Sequence, residues 1–276
     1  MPQIEIDRYR VSYETRGEGR NLVFLHGLGA DRRQALAATR NLTEVKVVCI
    51  DMPGHFESDG EHYEKAGGSY AFEAFGDLVL GVMDRLGMGS AVLGGISMGA
   101  GISLNLALRA PERLEGLVLA RPAWLDTEGL PQLRVVRDMG EWILSGGVSN
   151  AVEKLNSDVL YATQLETNPN CASSIAGALT RPQALEAARV LIDMVEDAPV
   201  DSLKRLEGLE IPAIVIGSEG DPLHPVDIAE KIGALLPLGH FEELPPRYFE
   251  AERHQAAFDE IVGKFLIGLN REKATT

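Results

Sequence analysis

Ser97 is the residue of this chain best placed to do chemistry, because Gly95-Ile96-Ser97-Met98-Gly99 has the G-x-S-x-G spacing of a nucleophile elbow. The pattern answers a steric demand. A serine hydroxyl must stand clear of a sheet on a sharp strand-to-helix turn, and side chains two residues before and after would collide across that turn. The flanks agree. Ser90 to Gly94 reads as a short buried strand, and Ala100 to Arg109 reads as a helix closed by Ala110-Pro111. Without this context the segment is only a glycine-rich turn that holds a serine.

A serine is a poor nucleophile alone. It needs a base within hydrogen-bond reach and a carboxylate to orient that base. In an open parallel sheet such groups gather beyond the carboxyl ends of the strands. The acid that best fits this rule is Asp221, just past the apolar run Ile211 to Gly217, in a loop rich in glycine and proline; Glu219 and Asp126 are its competitors. Of six histidines, His62 lies in a polar loop, while His26 and His55 precede the serine and break the chain order serine, acid, histidine. His224 stands three residues from Asp221 and reads as shaping the acid loop or the pocket. His240 opens the last strand, at the edge away from the elbow. His254 follows that strand at the start of the closing helix, and it is the expected base. Two backbone amides should receive a developing oxyanion. Met98 would supply one at the start of its helix, and Leu28, between Gly27 and Gly29, the other.

The elements that must hold these groups follow from the pattern. Ile4 to Arg10 and Val11 to Thr15 alternate as a hairpin. Asn21 to Leu25, Val45 to Ile50, Leu114 to Ala120 and Ile211 to Gly217 are continuous apolar runs, as expected of strands buried on both faces. Helical stretches intervene near Arg33 to Thr39 and from Tyr70 to Leu86. This alternation predicts a parallel α/β sheet covered by helices. It stops for about 75 residues, too many for a plain loop. There the spacing predicts helices over Leu133 to Ile143, Ser149 to Tyr161, Cys171 to Leu179 and Pro182 to Val195. A helix over Pro225 to Leu236, a short strand from His240 to Leu244 and a helix over Glu252 to Leu269 complete the chain, with Arg271 to Thr276 as a frayed tail. The organisation expected is a core of residues 1–124 and 207–276 with a helical lid over residues 125–206.

Composition narrows the partners. The 276 residues are 45% hydrophobic and carry a formal charge of −15. An acidic surface repels phosphate backbones and anionic lipid, which argues against nucleic acid and membrane partners; the partner expected is a small-molecule substrate. A homodimer is left open. Cys49 and Cys171 lie far apart and read as reduced thiols; no signal peptide or transmembrane run is evident, so a cytoplasmic location is expected. No His/Cys/Asp cluster has metal-ligand spacing, and the glycine-rich stretch Gly94 to Gly101 lacks the lysine of a phosphate loop, so no metal and no cofactor are expected.

Taken together, His26-Gly27-Leu28-Gly29, Asp51-Met52-Pro53-Gly54-His55-Phe56-Glu57-Ser58, the elbow, and Gly217 with Asp221 and Pro225 resemble the α/β-hydrolase family over essentially the whole chain. The resemblance implies an eight-stranded, mostly parallel sheet with a helical lid between the sixth and seventh strands, and a triad of Ser97, Asp221 and His254. Two departures stand out. Phe56 replaces the second glycine of a D-x-P-G-x-G-x-S motif, and His254 follows Arg253 where the family's final histidine usually follows glycine. The implied activity is hydrolysis of a small carboxylic ester, lactone or thioester through an acyl-enzyme. Carbon–carbon bond hydrolysis, lyase or perhydrolase chemistry on the same triad are alternatives, as is a ligand-binding protein without turnover. A dehalogenase or epoxide hydrolase would want aspartate at position 97. Arg121, at a strand's carboxyl end, is a candidate for binding a substrate carboxylate, unless Asp126 or Glu128 occupies it. Trp124 and Trp142 are candidates for the pocket wall.

Overall fold

In the computed structural model, which describes residues 2–273, a single eight-stranded sheet carries the chain. The strands are β1 (Gln3–Ile6), β2 (Tyr9–Arg16), β3 (Arg20–Leu25), β4 (Val45–Ile50), β5 (Ala91–Ile96), β6 (Leu114–Ala120), β7 (Ala213–Ser218) and β8 (Gly239–Leu244), in the order β1-β2-β4-β3-β5-β6-β7-β8. β1 and β2 form the antiparallel hairpin, β2 joins β4 antiparallel, and every later pairing is parallel. The elbow strand β5 lies between β3 and β6, and all six of its residues are buried.

Strand alternation sends side chains to two apolar layers. Val23 and Leu25 of β3 face the larger layer, while Leu22 and Phe24 face the smaller. The larger layer takes in α3 (Phe72–Arg85), α4 (Met98–Arg109) and α9 (Val226–Leu235); the smaller is covered by α1 (Arg32–Ala38) and α10 (Ala251–Lys273). A short helix, α2 (Gly60–Lys65), capped by Asp59, was not anticipated from the spacing. The expected frayed tail is corrected in part: α10 runs to Lys273, and Ala274 to Thr276 lie outside the described residues.

Between β6 and β7 there are helices and no strand. They are α5 (Arg134–Leu155), α6 (Val159–Thr167), α7 (Pro169–Thr180) and α8 (Ala188–Asp193). The first expected helix and the start of the second merge into α5, which breaks at Gly147 (φ 78°, ψ 177°), a conformation open to glycine, while the second's last residues, Val159 to Tyr161, open α6. The fourth is shorter than expected. Pro182 forces its predecessor Arg181 into extended backbone (ψ 148°), and turns fill the chain until Ala188. Asn168 caps α7 through Cys171 N at 3.2 Å and also donates to the Gly220 carbonyl at 3.0 Å. Asn170 donates to the Tyr248 carbonyl at 2.7 Å. The insert is thereby tied to the loops that follow β7 and β8.

Candidate active site

Ser97 sits at φ 56°, ψ −109°, between the last residue of β5 and the first of α4. A non-glycine residue in this region is strained, and the surroundings enforce it. A Cβ on Gly95 would lie 2.7 Å from the Leu25 carbonyl oxygen, and one on Gly99 would lie 2.6 Å from the same atom. The turn is thus wedged against β3, and only glycine fits two residues before and two residues after the serine. Gly99→Ala is expected to destabilise the fold by about 1–3 kcal/mol, read as a lower urea midpoint at unchanged slope.

The imidazole on Ser97 belongs to His224, with Nε2 2.8 Å from Oγ. Its Nδ1 lies 2.9 Å from Asp221 Oδ2, an approach close enough for an ion pair but bent away from a linear hydrogen bond. Both residues come from one turn after β7. The His224 amide donates to the Asp221 carbonyl at 3.1 Å, and the Leu223 amide donates to Asp221 Oδ1 at 3.2 Å. This turn sets the carboxylate and the imidazole side by side. Asp221 beside Nδ1 assigns the ring proton to that nitrogen, so the Nε2 lone pair faces the serine hydroxyl.

With this geometry in place, comparison with known proteins decides the family. Residues 20–250 match the model of the alpha/beta hydrolase fold. The chain belongs to the α/β-hydrolase family. It is 25% identical over 270 residues to a putative 2-succinyl-6-hydroxy-2,4-cyclohexadiene-1-carboxylate synthase of Bacillus subtilis, covering 95% of this chain and 96% of that protein. It is also 25% identical over 237 residues to 3-oxoadipate enol-lactonase 2 of Acinetobacter baylyi, covering 78% of each. A thermophilic esterase from Thermogutta terrifontis shares the fold with a TM-score of 0.73 at 23% identity, covering 96% of this chain and 99% of that one.

In this α/β hydrolase the histidine expected as base is placed elsewhere. His254 donates from Nδ1 to the Pro245 carbonyl at 2.8 Å. It lines an adjoining recess that shares Gln34, Ile96, Arg121 and Arg247 with the Ser97 cavity but holds neither Ser97 nor His224. Burial pushes its pKa down to about 4, so it is a neutral ring bonded to backbone. The expectation of His254 on the serine is therefore corrected to His224. Both satisfy the order serine, acid, histidine. The overlooked signal is the Asp221-Pro222-Leu223-His224 spacing, which a tight turn closes.

The remaining candidates divide. Among the amides of Gly27 to Ala30, Gly27 donates to Gln34 Oε1 at 2.8 Å, Gly29 to His55 Nε2 at 3.1 Å and Ala30 to the Gly27 carbonyl at 3.0 Å. The Leu28 amide makes no hydrogen bond within the described protein, nor does that of Met98. Arg121 lines the Ser97 cavity, but its Nη1 lies 3.1 Å from Asp221 Oδ2, so its anionic partner is the acid of the site rather than Asp126 or Glu128. Trp124 also lines the cavity; its Nε1 donates to the Met194 carbonyl at 3.1 Å, and its ring meets Phe72 edge-on, leaving an apolar wall. Trp142 does not line it. The break at Gly147 folds Asn150 back onto the Trp142 carbonyl at 2.7 Å, and the indole faces an outer recess with Arg134 and Lys154. The helical insert closes the cavity with Leu133, Val136 and Met139 from its first turns and Ile175 and Ala178 from α7.

Charge sets the working state. Burial alone would raise the Asp221 carboxyl, but His224, Arg121 and Arg247 override it and hold it far below the usual carboxylate range. His224 is lowered from the ordinary histidine value by burial, assisted by Arg121 and Arg247 and opposed by Asp221. A lowered base stays neutral further into acid, so the acid limb of kcat/KM is expected below about pH 6.5, read from a pH–rate profile.

Behind the Leu28 loop sits a second histidine pair. His26 Nε2 accepts from the Met52 amide at 3.0 Å, and its Nδ1 donates to the Gly27 carbonyl at 2.8 Å. Burial lowers His26 to about 4 and His55 to about 3, so both are neutral supports for the loop. An unfolded chain would protonate them near pH 6.5, and the folded state does so only below about 4. Stability is therefore lost as pH falls through this window, by up to about 3 kcal/mol per ring at pH 4. The expected result is a melting temperature that drops steadily from pH 6.5 to 4.

Cys49 and Cys171 are both free and buried. Among the described residues no group of acids, histidines and cysteines is arranged to hold a metal ion, and no helix is long and apolar enough to cross a membrane.

Proposed function

We propose that this chain is a serine hydrolase of small carboxylic esters, lactones or thioesters that works through an acyl-enzyme, with Ser97 as nucleophile, His224 as base and Asp221 as its orienting acid. The observation that carries this reading is the pair of contacts on one imidazole, 2.8 Å to Ser97 Oγ and 2.9 Å to Asp221 Oδ2. His224 Nε2 takes the hydroxyl proton as Ser97 Oγ bonds to the substrate carbonyl carbon. The oxyanion settles between the Leu28 and Met98 amides, two donors with no hydrogen bond among the described residues. His224 then returns the proton to the departing alcohol oxygen as the carbon–oxygen bond breaks. Water attacks the acyl-enzyme, gives its proton to Nε2, and the acid leaves with Ser97 restored. Asp221 stays ionised and stabilises the imidazolium throughout.

The similarity to an enol-lactonase and the shared fold of an esterase support ester or lactone chemistry. Residues 125–206 are the lid that selects substrate, since Leu133, Val136, Met139, Ile175 and Ala178 form the wall facing Ser97. The test is turnover of p-nitrophenyl butyrate. Ser97→Ala is expected to remove at least about 10³-fold of the rate; equal rates in wild type and variant would sink the reading.

A further inference from the structure

Three guanidinium groups line the Ser97 cavity, in a chain whose net charge is −15. Two are neutralised by buried aspartates. Arg121 is 3.1 Å from Asp221, and Arg181 is 3.3 Å from Asp31. The third, Arg247, makes no ion pair and no side-chain hydrogen bond among the described residues; its guanidinium only lies over the Tyr248 ring at 4.7 Å. Its backbone is fixed, since the Arg247 amide donates to Ser218 Oγ at 3.3 Å at the end of β7. No aspartate or glutamate among the described residues lines this cavity.

On the reading of Ser97 as nucleophile, we infer that the substrate carries a carboxylate in addition to its scissile carbonyl, and that Arg247 receives it. Arg121 is spent on Asp221, which moves the anion-binding role from the arginine expected to hold it to the one with free donors. A planar guanidinium with unused N–H groups, fixed at its backbone in a partly desolvated cavity, suits a carboxylate in bidentate contact. The repulsion of Arg121, followed by burial and offset in part by the charge of Asp221, lowers Arg247 to about 10, so it stays charged at neutral pH with no carboxylate in contact with it. The apolar wall of the lid accepts the carbon frame between the two ends.

Two esters of equal acyl length separate this inference from general hydrolysis: mono-p-nitrophenyl glutarate, which ends in a carboxylate, and p-nitrophenyl valerate, which does not. Wild type is expected to favour the glutarate ester at least 10-fold in kcat/KM, through KM and with an advantage that shrinks as NaCl rises. Arg247→Met is expected to lower that ratio at least 10-fold, and Arg247→Lys to keep part of it. A wild type that favours valerate, or a ratio unchanged in both variants, would overturn the inference. Should wild type cleave neither these esters nor p-nitrophenyl butyrate, the hydrolase reading has failed, and the carboxylate site is read by calorimetry instead. Monomethyl glutarate binding to Ser97→Ala but not to Ser97→Ala/Arg247→Met supports the site; no heat, or equal heat, refutes it.

Discussion

His224→Ala is expected to lower kcat on p-nitrophenyl butyrate about 10⁴-fold, while His254→Ala stays within a few-fold of wild type. The two rings differ in what they touch. His224 Nε2 is in direct contact with the Ser97 hydroxyl, and its loss leaves that oxygen with no proton acceptor. His254 is bonded to the Pro245 carbonyl at the start of α10, so its removal loosens a helix terminus and leaves the serine untouched. The residual activity of His224→Ala would come from the backbone donors and binding alone. Steady-state kinetics on the two variants, with circular dichroism to confirm folding, reads this difference directly.

Asp221→Asn is expected to cost about 10³–10⁴-fold in kcat, and the loss should persist at high pH. The carboxylate serves three groups at once: its Oδ2 faces the neutral His224 ring at Nδ1 and the Arg121 guanidinium at Nη1, and its charge is felt, without contact, by Arg247. An amide in its place leaves two arginines next to the imidazole with no anion between them. The imidazolium that forms during attack then lies in a net positive field, and the amide no longer fixes the Nδ1–H tautomer. Raising the pH supplies more neutral imidazole but cures neither fault. A pH–rate profile of the variant should therefore remain low and flat above neutrality.

Much of the scaffold could be read from residue order. The apolar runs from Asn21 to Gly217 became the parallel strands because strands buried on both faces need apolar side chains on both. The elbow was legible because its two glycines answer a contact with Leu25 that admits no Cβ. The histidine on Ser97 was not. The residue order points to His254, beyond the last strand at the start of α10, and leaves His224 as a neighbour of Asp221. In the folded chain the strand-end position after β8 carries Arg247, while the 221–224 turn swings His224 over Ser97. Only the closed turn brings acid and base together, and linear spacing does not reveal which way a turn's side chains project. Trp142 illustrates the same limit on a helix: its periodic position marks an apolar face, but Met139 and Ile143 take the buried part of that face and Trp142 lines an outer recess. Arg121 was rightly noticed at a strand end, yet its partner lies a hundred residues away in sequence.

The most direct test of the Ser97–His224–Asp221 arrangement is intact-mass measurement of fluorophosphonate labelling on wild type, His224→Ala and His254→Ala side by side. The account predicts one adduct, mapped to Ser97, in wild type and in His254→Ala, and labelling of His224→Ala slowed by at least about 10³-fold. Rapid labelling of His224→Ala together with loss of labelling in His254→Ala would contradict it.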